Sequence, residues 1–459
     1  MKSQTTRFCF LSAILVGAML SQASAQQQFT AETLLKNSIQ QIGPKHREVD
    51  NAIEAFKKGQ FLECRNKLQA ARKQDPQLPP DGILMSQLLY AANQAGLARA
   101  ELERVVNEEP TDPEPYLLFA EIAFQQRRFS DSSLSFNKAA RLTNDFTGND
   151  FRKRNMVKRA YSGLAGIAES KQDWASAVKY LQPLLKASSG DVNTANRMAR
   201  AVFKQDTNIG DSQGKEKEAY KLLESVYKTN PEKIRRPEIT MGSMYQAEGK
   251  KDFSAKLMKR ASTEDTGGLA TQLTVARWAL GSGDLALAQQ CSDRALQIDK
   301  DSIEAKLVAG LTARYRKDYA RARKILEAAH LQTPANLAAI LQLAVVLVEG
   351  GEKDKRTALE YSRVANMIHP DMGTPAGREA AVTSAWIYYR QGRLNEAGLV
   401  LQKALAGGGV SSESSYYAAE IIHKSNPEIA KKLLTTALKG DGVFPARPDA
   451  EKLRQTLGG

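Results

Sequence analysis

Residues 319 to 334 alternate large and small side chains. Tyr319 is followed by Ala322, Leu326, Ala329 and Pro334, in steps of three, four, three and five residues. Steps of three and four place side chains on one face of a helix, so this stretch predicts an amphipathic helix closed by a proline. The template recurs as Phe61, Cys64, Leu68, Ala71, Pro76, then as Phe129, Ser132, Phe136, Ala139 and as Trp174, Ala177, Leu181, Leu184. It returns as Ala219, Leu223, Val226, Pro231, as Leu285, Ala288, Ser292, Ala295, as Leu394, Ala397, Leu401, Ala404, and as Ala430, Leu434, Ala437. Each copy is preceded by room for a partner helix, as in Ala270 to Leu280, Ile303 to Tyr315 and Arg378 to Tyr389. Turn signals separate the two helices at Lys58-Gly59, Gly281-Ser282-Gly283 and Gln391-Gly392. Others separate one pair from the next at Asp75-Pro76, Asn230-Pro231 and His369-Pro370.

The small anchors measure the period. Cys64 to Ser132 is 68 residues, two units of 34 with a degenerate copy from Gly96 to Val106 between them; Ala219 to Ala288 is 69, with a poor copy around Phe253. Ala288 to Ala322 is 34, Ala322 to Ala358 is 36 and Ala397 to Ala430 is 33. Two gaps run longer, 45 from Ser132 to Ala177 and 42 from Ala177 to Ala219. They predict inserted loops at Thr143 to Phe151 and at Asp206 to Lys215, both rich in Asn, Asp and Gly. Ala322 and Ala329 should let paired helices approach closely, with Leu326 filling the gap to the next unit. At the ends, residues 26–44 carry Leu34, Leu35, Ile39 and Ile42 as a candidate capping helix, and Pro448 opens a short helix through Leu453 to Leu457.

This period and alternation resemble the tetratricopeptide repeat over nearly all of the chain beyond residue 25. The resemblance implies an all-α fold, an α-solenoid wound as a right-handed superhelix of about eleven antiparallel helix hairpins. Its parts would be an N-terminal array over 45–205, an inserted loop at 206–215, a C-terminal array over 216–439 and a cap over 440–459. The sequence departs from the family in the first helix of each hairpin, where Ala165 and Gly310 keep the usual small position but few partner aromatics do. In such solenoids the first helices line a concave groove. The resemblance therefore implies a non-enzymatic scaffold or adaptor that binds peptides or helices of other proteins, without a cofactor. Carried onto this sequence, the inward positions are Phe124, Tyr245, Arg277, Arg314, Trp386, Tyr389 and Arg390, the aromatic and arginine types that binding hot spots favour. No set of Lys and Asn positions stands out that would clamp a carboxylate terminus.

The first 25 residues read as a signal peptide, with Lys2 and Arg7 before an apolar run from Phe8 to Leu20 and Ala23-Ser24-Ala25 as a cleavage site. The expectation is export to the periplasm or beyond. Cys9 lies inside the apolar run, too early to anchor a lipid, and no later stretch approaches the length of a membrane span. Cys64 and Cys291 fall in distant units and read as buried small hydrophobes. The net charge is +14, or +12 without Lys2 and Arg7. Such a surplus favours anionic partners, and an exported context points away from nucleic acid. A second expectation is therefore binding of an anionic wall polymer or exopolysaccharide through a basic surface. The candidate clusters are Arg152, Lys153, Arg154, Lys158, Arg159 and Arg314, Arg316, Lys317, Arg321, Arg323, Lys324.

Catalytic chemistry finds little footing. His46, His330, His369 and His423 stand singly without a carboxylate at metal-ligand spacing. Gly210 to Lys215 imitates a phosphate loop but is one residue short and continues into Glu216, where a hydroxyl is needed. Gly407-Gly408-Gly409 reads as a helix stop, and Asp299-Lys300-Asp301 lacks the glycine and distal glutamate of a calcium loop.

Overall fold

In the computed structural model, which describes residues 30–188, 190–205, 215–351, 354–439 and 444–458, the described residues form twenty-four α-helices and no strand. Residues 1–25, expected to be a signal peptide, and most of the expected 206–215 loop lie outside them; Lys215 already opens a helix. Helix α1 (Ala31–Leu35) precedes eleven hairpins. These are α2 (Arg47–Lys57) with α3 (Phe61–Gln74), α4 (Asp81–Ala91) with α5 (Ala95–Glu108), α6 (Glu114–Gln125) with α7 (Phe129–Asp145), α8 (Asp150–Ser170) with α9 (Trp174–Ala187) and α10 (Val192–Lys204) with α11 (Lys215–Thr229). Then come α12 (Pro237–Ala247) with α13 (Lys251–Glu264), α14 (Leu269–Ser282) with α15 (Leu285–Ile298) and α16 (Ile303–Tyr315) with α17 (Tyr319–Gln332). The last are α18 (Leu337–Gly350) with α19 (Lys355–Ile368), α20 (Pro375–Arg390) with α21 (Leu394–Ala406) and α22 (Ser412–Ile422) with α23 (Pro427–Ala437), after which α24 (Arg447–Thr456) closes the chain. The array divides into two compact units, Met1–Ile234 and Arg235–Gly459.

The apolar template explains the packing. Cys64, Ala177, Ala219, Ala288, Ala322, Ala358, Ala397 and Ala430, the small anchors of the second helices, are all fully buried. Ser132 takes the same place in α7 because its hydroxyl is satisfied, donating to the Ala120 carbonyl at 2.8 Å. Gly310 shows why the first helix needs a small residue: a Cβ there would lie 2.7 Å from Leu326 Cγ. Leu326 therefore fills space inside its own hairpin, and not only towards the next unit as the pattern suggested.

Eight of the eleven hairpin turns close in the same way. One residue adopts the left-handed conformation, at Gly59, Asn93, Arg127, Gln172, Gly249, Gly283, Lys317 and Gly392. The next residue's N–H then reaches back to the first helix, as Asp284 does to Ala279 and Asp318 to Ala313, both at 2.9 Å. This is a helix stop that spends two orphan carbonyls without side-chain help.

One expected loop is mostly helix. The long gap before Ala177 is absorbed by α7 and α8, of 17 and 21 residues, leaving only residues 146–149 between them. Asn149, read as a loop former, is instead the N-cap of α8, accepting from the N–H groups of Phe151 and Arg152 at 2.8 and 3.1 Å. Thr143 donates back to the Ala140 carbonyl at 2.7 Å and stays helical.

The ends are capped. Leu34, Leu35 and Ile39 are buried against the first hairpin while Ile42 is exposed, and His46 is fully buried, with Nδ1 accepting from the Gly43 N–H and Nε2 3.2 Å from Asp75. At the other end Ala450 and Phe444 are buried, and Phe444 stacks on Tyr416 of α22 with ring centroids 6.0 Å apart. Cys64 and Cys291 are free thiols in buried positions.

Candidate functional site

First helices of successive hairpins lie side by side, and within the second unit three of them leave a cleft of about 490 Å³. Its apolar floor is Leu280 of α14 with Leu307, Val308 and Leu311 of α16, and its polar groups are Arg277 of α14, Tyr315 of α16 and Gln342 of α18. Leu307, Leu311, Tyr315 and Gln342 are half-buried, and Arg277 is exposed and paired with Glu304. Burial, and secondarily the charge of Glu413, push the Tyr315 phenol far above its ordinary pKa, so it remains an O–H group at physiological pH.

Beside this cleft, from α16 to α22, the same face is filled by the protein's own side chains. Arg314, one position before Tyr315, is 1% exposed. Its Nε and Nη2 donate to Glu349 of α18 at 3.1 Å, Nη1 donates to Gln342 Oε1 at 3.1 Å, and Nη2 reaches Glu413 and Tyr417 of α22 at 2.7 and 2.6 Å. Trp386 of α20 stacks on Tyr417 with centroids 4.4 Å apart and lies 5.5 Å from Tyr389, while the Arg390 guanidinium sits 5.4 Å over its ring. Tyr389 donates to Glu420 at 3.2 Å. A buried guanidinium held by two carboxylates, with an aromatic stack beside it, is a locked core and not a receptive surface.

The seven expected groove residues are therefore scattered in role. Arg277 lines the open cleft. Arg314, Trp386, Tyr389 and Arg390 are gathered into one cluster, but Arg314 and Trp386 are buried in it by the protein's own side chains. Tyr245 is buried and stacked on Phe253 of its own hairpin at 5.3 Å. Phe124 is half-buried, edge-on to Phe129 at 5.6 Å and against Gly166 of α8. The sequence pattern missed Leu307, Leu311, Tyr315 and Gln342. A signal was present, since a first helix should present every third or fourth residue inward, and Leu307, Leu311 and Tyr315 are spaced by four.

The expected basic clusters are largely neutralised from within. Arg152 is buried with Asp112 and Glu114 at 2.8 Å, and Arg159 joins Glu114 and Glu121 at 3.0 and 2.8 Å. Burial raises the pKa of Asp112, whereas two guanidiniums outweigh burial at Glu114 and hold it below the usual carboxylate range. Arg321 pairs with Asp293, and Arg323 with Glu327 and Asp354. Arg154, Lys158, Arg316, Lys317 and Lys324 stay exposed. Apart from Glu327, which stands four residues after Arg323 on the same helix, the partners sit about one unit away along the chain, where no local pattern reports them.

Among the described residues no group of His, Cys, Asp and Glu side chains is placed to hold a metal ion, and no helix is long and apolar enough to cross a membrane.

No family model matches the sequence, and no curated protein matches it either. Among solved structures it is similar to yeast Tom70, at 12% identity over 90% of this chain and 95% of that one, with a TM-score of 0.38. It is also similar to a thermophilic TPR protein of Thermus thermophilus, at 18% identity over 41% of this chain and 98% of the other, TM-score 0.35. A tetratricopeptide repeat protein of Parabacteroides merdae gives 15% identity over 61% and 99% of the two chains, TM-score 0.36. Small differences in rotation between units add up along a solenoid, and the architecture assigned to this chain rests on its own hairpins.

Proposed function

We propose that this chain, an all-α solenoid of tetratricopeptide-type hairpins, works as a non-enzymatic scaffold of the cell envelope that holds a segment of another protein between α14, α16 and α18. The observation that supports this is the cleft itself. Three consecutive first helices leave an apolar floor of Leu280, Leu307, Val308 and Leu311 open beside Arg277, Tyr315 and Gln342, while the neighbouring inward face is closed by Arg314 and Trp386. A concave, mostly apolar site with a few polar groups is what ligand binding needs. The envelope setting rests on the leader pattern of residues 1–25.

The test is a photo-crosslinking amino acid placed at Leu307, inside the cleft, and at Lys324, an exposed position on α17, followed by exposure to envelope extract. A discrete adduct from position 307, absent from 324 and persisting at high salt, is the expected result, since apolar contact survives screening. Loss of that adduct in salt would favour an anionic polymer held by charge. Identical adducts from both positions, or none from 307, would remove the cleft as the binding site. Substitutions at Arg314 or Trp386 are unsuitable here, because both are buried and would report on folding.

A further inference from the structure

We infer that Arg378 and the glycine loop 407–409 form a binding site for a phosphate group, at the junction of the α20–α21 and α22–α23 hairpins and independent of the cleft.

Four arginines are buried among the described residues: Arg152, Arg197, Arg314 and Arg378. Three of them are matched by carboxylates, Arg152 by Asp112 and Glu114, Arg197 by Glu169, and Arg314 by Glu349 and Glu413. Arg378, 8% exposed, meets only carbonyl oxygens. Its Nε donates to Gly409 at 3.0 Å and its Nη1 to Gly373 at 2.7 Å and Gly407 at 3.0 Å, with Met372 further off at 3.4 Å. Nη2 donates to nothing among the described residues. Taking a charge out of water is costly, and buried charges are therefore paired. The end of α21, whose C-cap Gly407 is one of the acceptors, supplies roughly half a negative charge through the helix dipole. The rest of the guanidinium charge has no counterpart in the protein. Glu379, the adjacent residue, is engaged by the start of α22, where it accepts from the hydroxyls of Ser411 and Ser414 at 2.9 and 2.6 Å.

The unused nitrogen is open to an incoming ligand. Gly407, Gly408 and Gly409 are exposed. A Cβ at Gly408 would stand 3.6 Å from Arg378 Cζ and 3.7 Å from Nη2, so the glycine leaves that volume empty, at a φ of +126° that other residues avoid.

The pattern of spent and free donors selects the anion. A carboxylate pairs best with two parallel N–H groups along one edge of a guanidinium, and on Arg378 both edges have given a member, Nε or Nη1, to a carbonyl. A phosphate needs no parallel pair. One of its oxygens takes Nη2, and the others are left for the N–H groups of Gly409 and Val410, which bond to no carbonyl.

Calorimetric titration of inorganic phosphate at fixed ionic strength, into wild type, Arg378→Lys and the exposed control Lys324→Gln, tests this. Lysine keeps the positive charge but has no second terminal nitrogen. The expected result is one saturable site on wild type with a Kd on the order of 1 mM, which two charge-assisted hydrogen bonds would give. Binding should weaken roughly tenfold or more in Arg378→Lys, stay unchanged in Lys324→Gln, and be weaker for acetate than for phosphate. Should Arg378→Lys fail to fold, NMR of glycine-labelled wild type replaces it: phosphate must move the Gly408 and Gly409 resonances and leave Gly283 in place. A second arm with phosphatidylglycerol–phosphatidylcholine vesicles finds the source of the group. Vesicle binding that inorganic phosphate competes away and that Arg378→Lys lacks assigns a lipid head group, whereas phosphate binding without vesicle binding assigns the free ion. The inference is overturned by the absence of a saturable site, by equal affinity in Arg378→Lys, by equal loss in Lys324→Gln, by acetate binding as tightly as phosphate, or by glycine shifts that are absent or uniform.

Discussion

Arg314 is a fully buried guanidinium of the second unit. It joins α16 to Glu349 and Gln342 on α18 and to Glu413 and Tyr417 on α22. Removing it leaves two largely buried carboxylates, Glu349 and Glu413, facing each other without their counter-charge, so Arg314→Met should lower stability by about 3–5 kcal/mol. Adding Glu413→Gln should recover part of the loss. Denaturant unfolding of the single and double variants measures both, and a single variant within about 1 kcal/mol of wild type would contradict the account. Arg378 plays a related part without a carboxylate: it donates to the carbonyls of Gly373, Gly407 and Gly409 at 2.7 to 3.0 Å, which is how the glycine run after α21 is held as well as terminated. In the sequence Arg314 and Arg378 are only arginines on helices. Glu413 is 99 residues from Arg314, and no local pattern reports a contact across that distance.

The repeating element is the hairpin, and its turn shows how far local chemistry constrains it. Gly59, Gly249, Gly283 and Gly392 occupy the left-handed turn position at little cost, but Asn93, Arg127, Gln172 and Lys317 occupy it with a Cβ. The left-handed conformation costs such residues roughly 1–2 kcal/mol, part of which glycine loses again through its freer unfolded state. Lys317→Gly should therefore raise stability by about 0.5–1 kcal/mol, and Gly283→Ala should lower it by about 1 kcal/mol. Thermal unfolding of the two variants reads the sign directly, and equal shifts in one direction would contradict it. The turn is legible in sequence where glycine stands and hidden where it does not, because the packing of two helices imposes the conformation on whatever residue falls there.

At the scale of the whole chain, each hairpin buries its faces mainly against its neighbours, so damage should stay local. Deleting residues 440–459 would uncover Tyr416, Leu434 and Ala437, which Phe444 and α24 help to bury. Hydrogen exchange should then quicken in α22 and α23 while α12 to α15 keep their protection, and uniform loss across the second unit would show a more cooperative body than the hairpins suggest. The amino-acid sequence alone determined the hairpins, their approximate number and their phase, from Phe61 to Ala437, because large and small residues at steps of three and four commit a segment to a helix and to a neighbour lying against it. It also placed inward positions on the first helices. Which of those positions stay open was decided only by the tertiary structure: Arg314 and Trp386 meet Glu413 and Tyr417 of α22 and are consumed, whereas Leu307, Leu311 and Tyr315 pack against the core on one side and stay half-buried along the cleft. Local sequence sets which face a side chain occupies, but whether that face is filled depends on residues brought close by the accumulated turn of several hairpins.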